Sequence, residues 1–324
     1  MRTLLVLCAG SRRINHIPVF MNRHPDGKIL AEKAIEGIYS DTYQRIIYII
    51  TKSIDKEFNA KEFLLKEVKK NIEVVCILGE TNGPAETVFY AIKATQIEGE
   101  FAVRDCLNSI EIKDNLFGNF VSGFDLTKCN QDIYEVRTKS FIVVNEQNQI
   151  LDIIEKKFRS DVISVGLYGF KNVSDFLLAY EKLKDPAYPI KKLYLSNIIS
   201  YLIGYKQRVF HCVPVTRHED WGSMETWNLL QREYATYIVD ADGMVEELLS
   251  DYNVDHLINQ IVKLNKGHQH YVIVTAGILD CDKLKNRLIS NGVNCVGVVS
   301  GISQSNKKII VSTSDELRLA TMEV

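Results

Sequence analysis

The first hundred residues alternate short apolar runs with segments of helical spacing. That rhythm limits the folds open to this chain more than any other feature. "TLLVLCAG" at 3–10, "YQRIIYIIT" at 43–51, "IEVVCIL" at 72–78 and "FAVRDC" at 101–106 are apolar stretches of strand length. Between them, "GKILAEKAIEGIYS" at 27–40, "KEFNAKEFLLKEVKK" at 56–70 and "PAETVFYAIKAT" at 84–95 repeat apolar residues every three or four positions, and Pro84 can open the last helix. Strands that are apolar throughout are buried on both faces, and helical crossovers supply the cover. The pattern predicts a mixed, mostly parallel α/β sheet with helices on both faces.

After Asp114 the rhythm changes. "SFIVVNEQNQILDIIE" at 140–155 reads as a hairpin turning at Asn145–Asn148, and "DVISVGLYGFK" at 161–171 as a further strand. Helices are expected at 173–184 and 193–205, a strand at 207–215, and a helix at 223–233. A fresh β-α-β series starts at Thr236, so two domains are expected, 1–235 and 236–324, the second a small α/β unit. The length of 324 residues also favours two domains.

With 46% hydrophobic residues, 25% charged residues and a net charge of −2, nothing pulls the chain toward nucleic acid or an anionic membrane. No apolar run approaches the roughly 18 residues of a bilayer span. The seven cysteines are odd in number and form no C-x-x-C pair, which fits free thiols in a reducing cytoplasm.

Four loops carry groups suited to phosphate chemistry. "LCAGSRR" follows the first strand, where amides freed by Gly10 and Ser11, together with Arg12 or Arg13, suit phosphate. "GETNGPAETV" offers Gly83 for close approach to a flat ligand, with Thr81 and Asn82 for a base edge. Asp105 ends "FAVRD" and Asp220 lies in "HEDWGS"; two carboxylates with polyphosphate between them would hold Mg2+. Taken singly, each is equally an ordinary turn.

Taken in order, these segments resemble the nucleotidyltransferase family that joins phosphorylated sugars or similar small molecules to nucleoside triphosphates. The resemblance spans about residues 1–233. It rests on the opening "LLVLCAGSRR…GKILAEKAIEGI", "TNGPAETV", "IIEKK", "VGLYGFK" and "EDWGSMETW", with "VRDCLNSI" closest to the Asp-Cys-Asp-Asn form of a capsule-related cytidylyltransferase branch. It implies that Gly10, Ser11 and Arg12 hold triphosphate, that Gly83 lies under the base, and that Glu155, Lys156 and Gly166 contact the acceptor. Asp220 would be one metal ligand, and Arg12 and Lys156 the catalytic cations. The implied partners are a CTP-like nucleotide and a phosphorylated acceptor, with pyrophosphate released in surface-polysaccharide synthesis. A homo-oligomer fits this reading; nucleic acid and membrane do not.

Two positions depart from the family. The lysine of its Pro-Lys pair is Val19, and the metal-binding aspartate of Asp-Cys-Asp-Asn is Leu107. Alternation along a strand sets Asp105 and Leu107 on one face, roughly 6–7 Å apart. Asp105 would then have to reach the ion through water. This leaves open a catalytically impaired chain that binds nucleotide or scaffolds a partner.

The second domain resembles the small, capless form of the haloacid-dehalogenase-like phosphatases. "YIVDADGMV" is similar to their first motif, implying Asp240 as nucleophile and Asp242 as proton shuttle. Thr275 fits the second motif and Lys307 or Lys308 the third. Ser312, Thr313 and Ser314 stand where an acidic pair completes the family's magnesium site, and Met244 replaces the usual threonine. A degenerate domain is expected, with phosphatase activity as a further alternative.

Overall fold

The structure is a computed structural model. It describes all residues except 1, 15, 114–115, 129–135, 186–189, 191, 234–235, 241–251, 266–270, 276–280, 294, 300–308 and 312–324. It divides into two compact units, Met1–Thr226 and Trp227–Val324.

The first unit begins with β1 (Thr3–Leu7), a small antiparallel hairpin of β2 (Arg13–Ile14) and β3 (Ile17–Pro18), and the single-turn α1 (Leu30–Lys33). Next come β4 (Arg45–Thr51), α2 (Lys52–Phe58), α3 (Ala60–Glu67), β5 (Glu73–Ile77), α4 (Pro84–Thr95), β6 (Phe101–Asp105), β7 (Asn108–Ile112) and β8 (Phe120–Asp125). The hairpin of β9 (Ser140–Val144) and β10 (Ile150–Glu155) precedes β11 (Val162–Phe170), α5 (Val173–Leu183), α6 (Leu195–Lys206) and β12 (His211–Asp220), and α7 (Met224–Glu233) continues from the first unit into the second.

The sheet runs β5-β4-β1-β6-β11-β8-β12-β7, with β9 paired to β11 and β10 to β9. The block β5-β4-β1-β6 is parallel throughout, as the apolar runs predict. Alternation within β1 explains why. Leu4 and Val6 pack with Tyr48 and Ile50 on one face, Leu5 with Ile47, Ile49 and Val103 on the other. All three β1 residues are fully buried, so neither face can meet water. β11 then runs antiparallel to both β6 and β8.

Two expected helices come out shorter. Only Leu30–Lys33 of 27–40 is α-helical; Gly37 takes φ +69, and a Cβ there would lie 2.5 Å from the Ile110 carbonyl oxygen, with room for no side chain. The 56–70 segment breaks at Asn59, whose φ of 50 lets α2 end and α3 begin in one residue.

The second unit is a parallel sheet in the order β15-β14-β13-β16, formed by β13 (Thr236–Asp240), β14 (Tyr271–Thr275), β15 (Cys295–Val299) and β16 (Ile309–Val311). Its helices α8 (Tyr252–Asn265) and α9 (Cys281–Ser290) bury Leu257, Ile258, Ile261, Leu284 and Leu288. Among the described residues no helix is long and apolar enough to cross a membrane. Cys8, Cys76, Cys106 and Cys212 carry free thiols.

Candidate functional site

Because β1, β4, β5 and β6 are parallel, the loops after all four leave the sheet at one edge. Open α/β sheets bind ligands beyond the carboxyl ends of their strands. There the first unit holds a cleft of about 450 Å³, lined by Gly10, Ser11 and Arg12 after β1, Thr51 at the end of β4, Gly83 after β5, and Asp105 at the end of β6 with Leu107 just beyond it. Val19 lines it as well, nine-tenths or more buried. From the far half of the sheet come Lys139, Glu155 and Gly166, and from the approach to α6, Lys192 and Tyr194. Sequence segments up to about 180 residues apart thus meet in one cavity.

Two glycines are fixed by close approaches of the chain to itself. Gly83, at φ +134, caps α4, and a Cβ there would lie 2.5 Å from the Leu193 carbonyl oxygen. Gly166, at φ +81, leaves the space that the Asp105 carboxylate fills. Gly10 has nothing within 4 Å of a would-be Cβ, so its freedom is not spent on packing. The Arg12 guanidinium donates to the Gly222 carbonyl across the cleft floor.

Glu155 accepts hydrogen bonds from the Ser140 and Ser196 hydroxyls, the latter at 2.7 Å. Lys156, at φ 55, keeps its ammonium 3.9 Å from Glu155 and donates to the Tyr194 hydroxyl at 2.6 Å, 4.4 Å from that ring's centroid.

Asp105 and Asp220 do converge. β12 pairs antiparallel with β7, setting Asp220 opposite Asn108. The fully buried Trp221 ties the two turns together, donating its amide to the Leu107 carbonyl at 3.0 Å and its indole to the Cys106 carbonyl at 2.8 Å. The chain turns sharply at this point, which alters the expected relation of Asp105 to Leu107. β6 stops at Asp105, whose Oδ1 accepts from the Leu107 amide at 3.1 Å and the Asn108 side-chain amide at 2.8 Å. The two residues therefore flank a side-chain-capped turn instead of sharing a strand face.

Both carboxylates are already matched by cations. Arg104, fully buried, lies 3.6 Å from Asp105 and donates to the carbonyls of Ala34, Val165 and Asn108. The Lys139 ammonium is ion-paired with Asp220, whose other oxygen accepts from the Gly222 amide at 2.7 Å. Desolvation lifts the Asp105 carboxyl above its ordinary value, outweighing Arg104, Lys139 and the Leu107 amide, and the Asp220 charge adds to the lift. Desolvation also pushes Asp220 upward, but Lys139, His218 and the Gly222 amide prevail and hold it below the usual range.

Magnesium demands a near-octahedral oxygen shell and carboxylates free to face it. Here the Leu107 side chain offers no oxygen, Asp105 Oδ1 is engaged by two amides with a guanidinium 3.6 Å away, and both oxygens of Asp220 are taken, one by an ammonium and one by an amide. Among the described residues no group of three or more His, Cys, Asp or Glu is placed to hold a metal. A divalent ion about 4 Å from the Lys139 ammonium would be repelled by about 8 kcal/mol at an effective dielectric of ~20. The donor set does not fit Mg2+ while Lys139 holds Asp220.

In the second unit, the parallel register sets Asp240 directly across from Thr275 at the carboxyl ends of neighbouring strands. Asp242, Met244, Lys307, Lys308, Ser312, Thr313 and Ser314 lie outside the described residues.

Neither the protein-family models nor the curated proteins yield a match by sequence. Solved structures do match. A nucleoside-diphosphate-sugar pyrophosphorylase from Vibrio cholerae RC9 superposes with a TM-score of 0.58 at 20% identity, over 72% of this chain and all of its own. The inositol-1-phosphate CTP transferase of T. maritima gives 0.55 at 13% identity, covering 71% of this chain and 95% of that one. A UDP-glucose pyrophosphorylase complexed with UDP-glucose gives 0.53 at 15% identity, covering 71% and 97%.

The chain has a nucleotidyltransferase fold.

Within that nucleotidyltransferase fold, the residues that sequence reasoning missed are Lys139, Arg104, Lys192 and Tyr194. Lys139 is 81 residues from Asp220, and no spacing rule links them. Arg104 stood in plain view within "FAVRD", where a charge inside an apolar strand is itself a signal.

Proposed function

We propose that Met1–Thr226 binds a nucleoside triphosphate beside a phosphorylated sugar or similar small acceptor and transfers the nucleotidyl group between them. The observation that carries this reading is the single cleft in which Gly10, Ser11, Arg12 and Gly83 face Lys139, Glu155, Gly166 and Lys192 at the carboxyl ends of parallel strands. The solved neighbours named for nucleotide sugars and for CTP transfer support it.

The roles follow from chemistry. Amides at Gly10 and Ser11 and the Arg12 guanidinium suit the triphosphate. The turn at Gly83 suits a base. Glu155 accepts from acceptor hydroxyls, while Lys156 and Lys192 attract the acceptor phosphate. An oxygen of that phosphate attacks the α-phosphorus, the bond to the bridging oxygen breaks, and pyrophosphate leaves with the electron pair. The chain contributes position and positive charge, the main requirements of such transfers. A CTP-like nucleotide and a product destined for surface polysaccharide, made in the cytoplasm, complete the proposal.

Purified protein incubated with each ribonucleoside triphosphate and a panel of sugar 1-phosphates is expected to release pyrophosphate, and silence across the panel overturns transfer. One observation favours a second reading, a nucleotide-binding or scaffolding protein: Val19 and Leu107 are apolar where charge would do chemistry. Binding without turnover would support it. For the second unit, the Asp240–Thr275 register supports a phosphatase-like reading, tested by hydrolysis of a generic phosphoester and its loss in Asp240→Asn.

A further inference from the structure

Three features meet where the two halves of the cleft join. Leu107 removes an oxygen ligand from the turn that follows β6. Asp105 is faced from behind by the fully buried Arg104. Asp220 is taken by the ammonium of Lys139, which itself lines the cleft. A divalent cation between two aspartates would bring the formal charge of such a corner to zero. Here the Arg104 guanidinium and the Lys139 ammonium already balance the two carboxylates from the protein's own side chains, and Arg12 adds a further positive charge.

The placement of Lys139 is built into the sheet. It directly precedes β9, and its carbonyl accepts from the Lys156 amide at 3.1 Å, which continues the β9–β10 ladder by one rung. Its side chain is 18% exposed and that of Asp220 12%, so neither swings in open solvent. An ammonium has three donors, and Asp220 occupies one. Arg12 reaches the same corner, since a Cβ on Gly222 would lie 3.2 Å from its guanidinium, 3.1 Å from the Asp220 carboxylate and 3.5 Å from Leu107.

We infer that Lys139, steered by Asp220 and assisted by Arg12, is a resident cation that takes the place of a protein-held divalent ion, so that this cleft binds nucleoside triphosphate without one. The inference rests on the nucleotide-binding reading above and specifies how that same site handles polyphosphate charge. Leu107 is the counterpart of this exchange: with an ammonium bound to Asp220, a third carboxylate has no cation to serve.

The test is calorimetry on the full-length chain with ATP, CTP, GTP and UTP, each in EDTA and in millimolar Mg2+. At least one nucleotide is expected to bind in EDTA within about threefold of its affinity in Mg2+. Removing one charge-assisted hydrogen bond costs about tenfold or more in affinity. Lys139→Met paired with Asp220→Asn, which leaves no buried charge unpaired, is expected to lose that much in EDTA, and Lys139→Arg is expected to keep most of it. Thermal melts of the variants confirm that each is folded. Binding that requires Mg2+ in the unaltered protein overturns the inference and leaves the nucleotide reading standing. Binding in neither condition overturns both. Metal-free binding that survives loss of Lys139 overturns its role.

Discussion

Two carboxylates line the same cleft and are handled in opposite ways. Asp105 is held by a guanidinium behind it and by two amides of its own turn. Glu155 is held by two serine hydroxyls, with the nearest ammonium, that of Lys156, at 3.9 Å. Hydroxyls rotate and both donate and accept, so a ligand can replace them at little cost. A guanidinium bonded to three buried carbonyls cannot turn away. The difference teaches that Asp105 Oδ1 is fixed by the scaffold, whereas Glu155 is free to exchange its partners for a ligand's hydroxyls.

The largest expected effect strikes the scaffold side of this contrast. Arg104→Met strands three buried carbonyls and the Asp105 charge, and should cost about 3–5 kcal/mol, read as a fall in the urea midpoint. A result near zero would dissolve the distinction.

Acid should strike the same corner next. His218, packed 5.4 Å from the Phe124 ring, has its pKa pushed down to about 4 by desolvation, with Lys139 and Arg104 lowering it further and Asp220 and Glu219 opposing. The folded protein therefore keeps it neutral while the unfolded chain takes a proton below about 6.5. Stability should fall as pH drops from about 6.5 to about 4, by up to about 3 kcal/mol, and His218→Phe should flatten that slope in denaturant titrations.

Gly166→Ala comes third. Its Cβ would overlap the Asp105 carboxylate at a positive φ, and a loss of about 2 kcal/mol is expected. Gly10→Ala, with open space around it, should move the melting temperature by no more than a small fraction of that shift.

Leu107→Asp combined with Lys139→Met restores an oxygen and removes the ammonium. Nucleotide binding should then depend on Mg2+ by about tenfold, read by calorimetry. The smallest stability effect belongs to Glu155→Gln. The serines can still bond to the amide, so a change of about 1 kcal/mol or less is expected. Its mark should instead be a weaker apparent affinity for the acceptor.

Much of the frame was legible because burial on both faces leaves a plain trace. β1, β4 and β6 are apolar over most of their length, and α4 starts at Pro84 and ends at Thr95 as its spacing predicts. The cleft was legible as far as loops after parallel strands share an edge. What stayed hidden depends on register between distant strands. Lys139 meets Asp220 only because β9 pairs with β11 and β12 pairs with β7. Asp105 and Leu107 misled in the other direction, because alternation ceases where a side-chain-capped turn begins. Gly37 and Asn59 cut predicted helices through backbone angles that a hydrophobic period does not encode.

The contact of Gly83 with Leu193 has a thermodynamic corollary. One carbonyl oxygen joins the loop that would seat a base to the segment carrying Lys192 and Tyr194. Whatever stiffens one side of that seam stiffens the other. By reciprocity, a nucleotide that tightens the hold on the acceptor must be tightened by it to the same degree. Any such coupling runs equally in both directions, through a single point where the backbone touches itself.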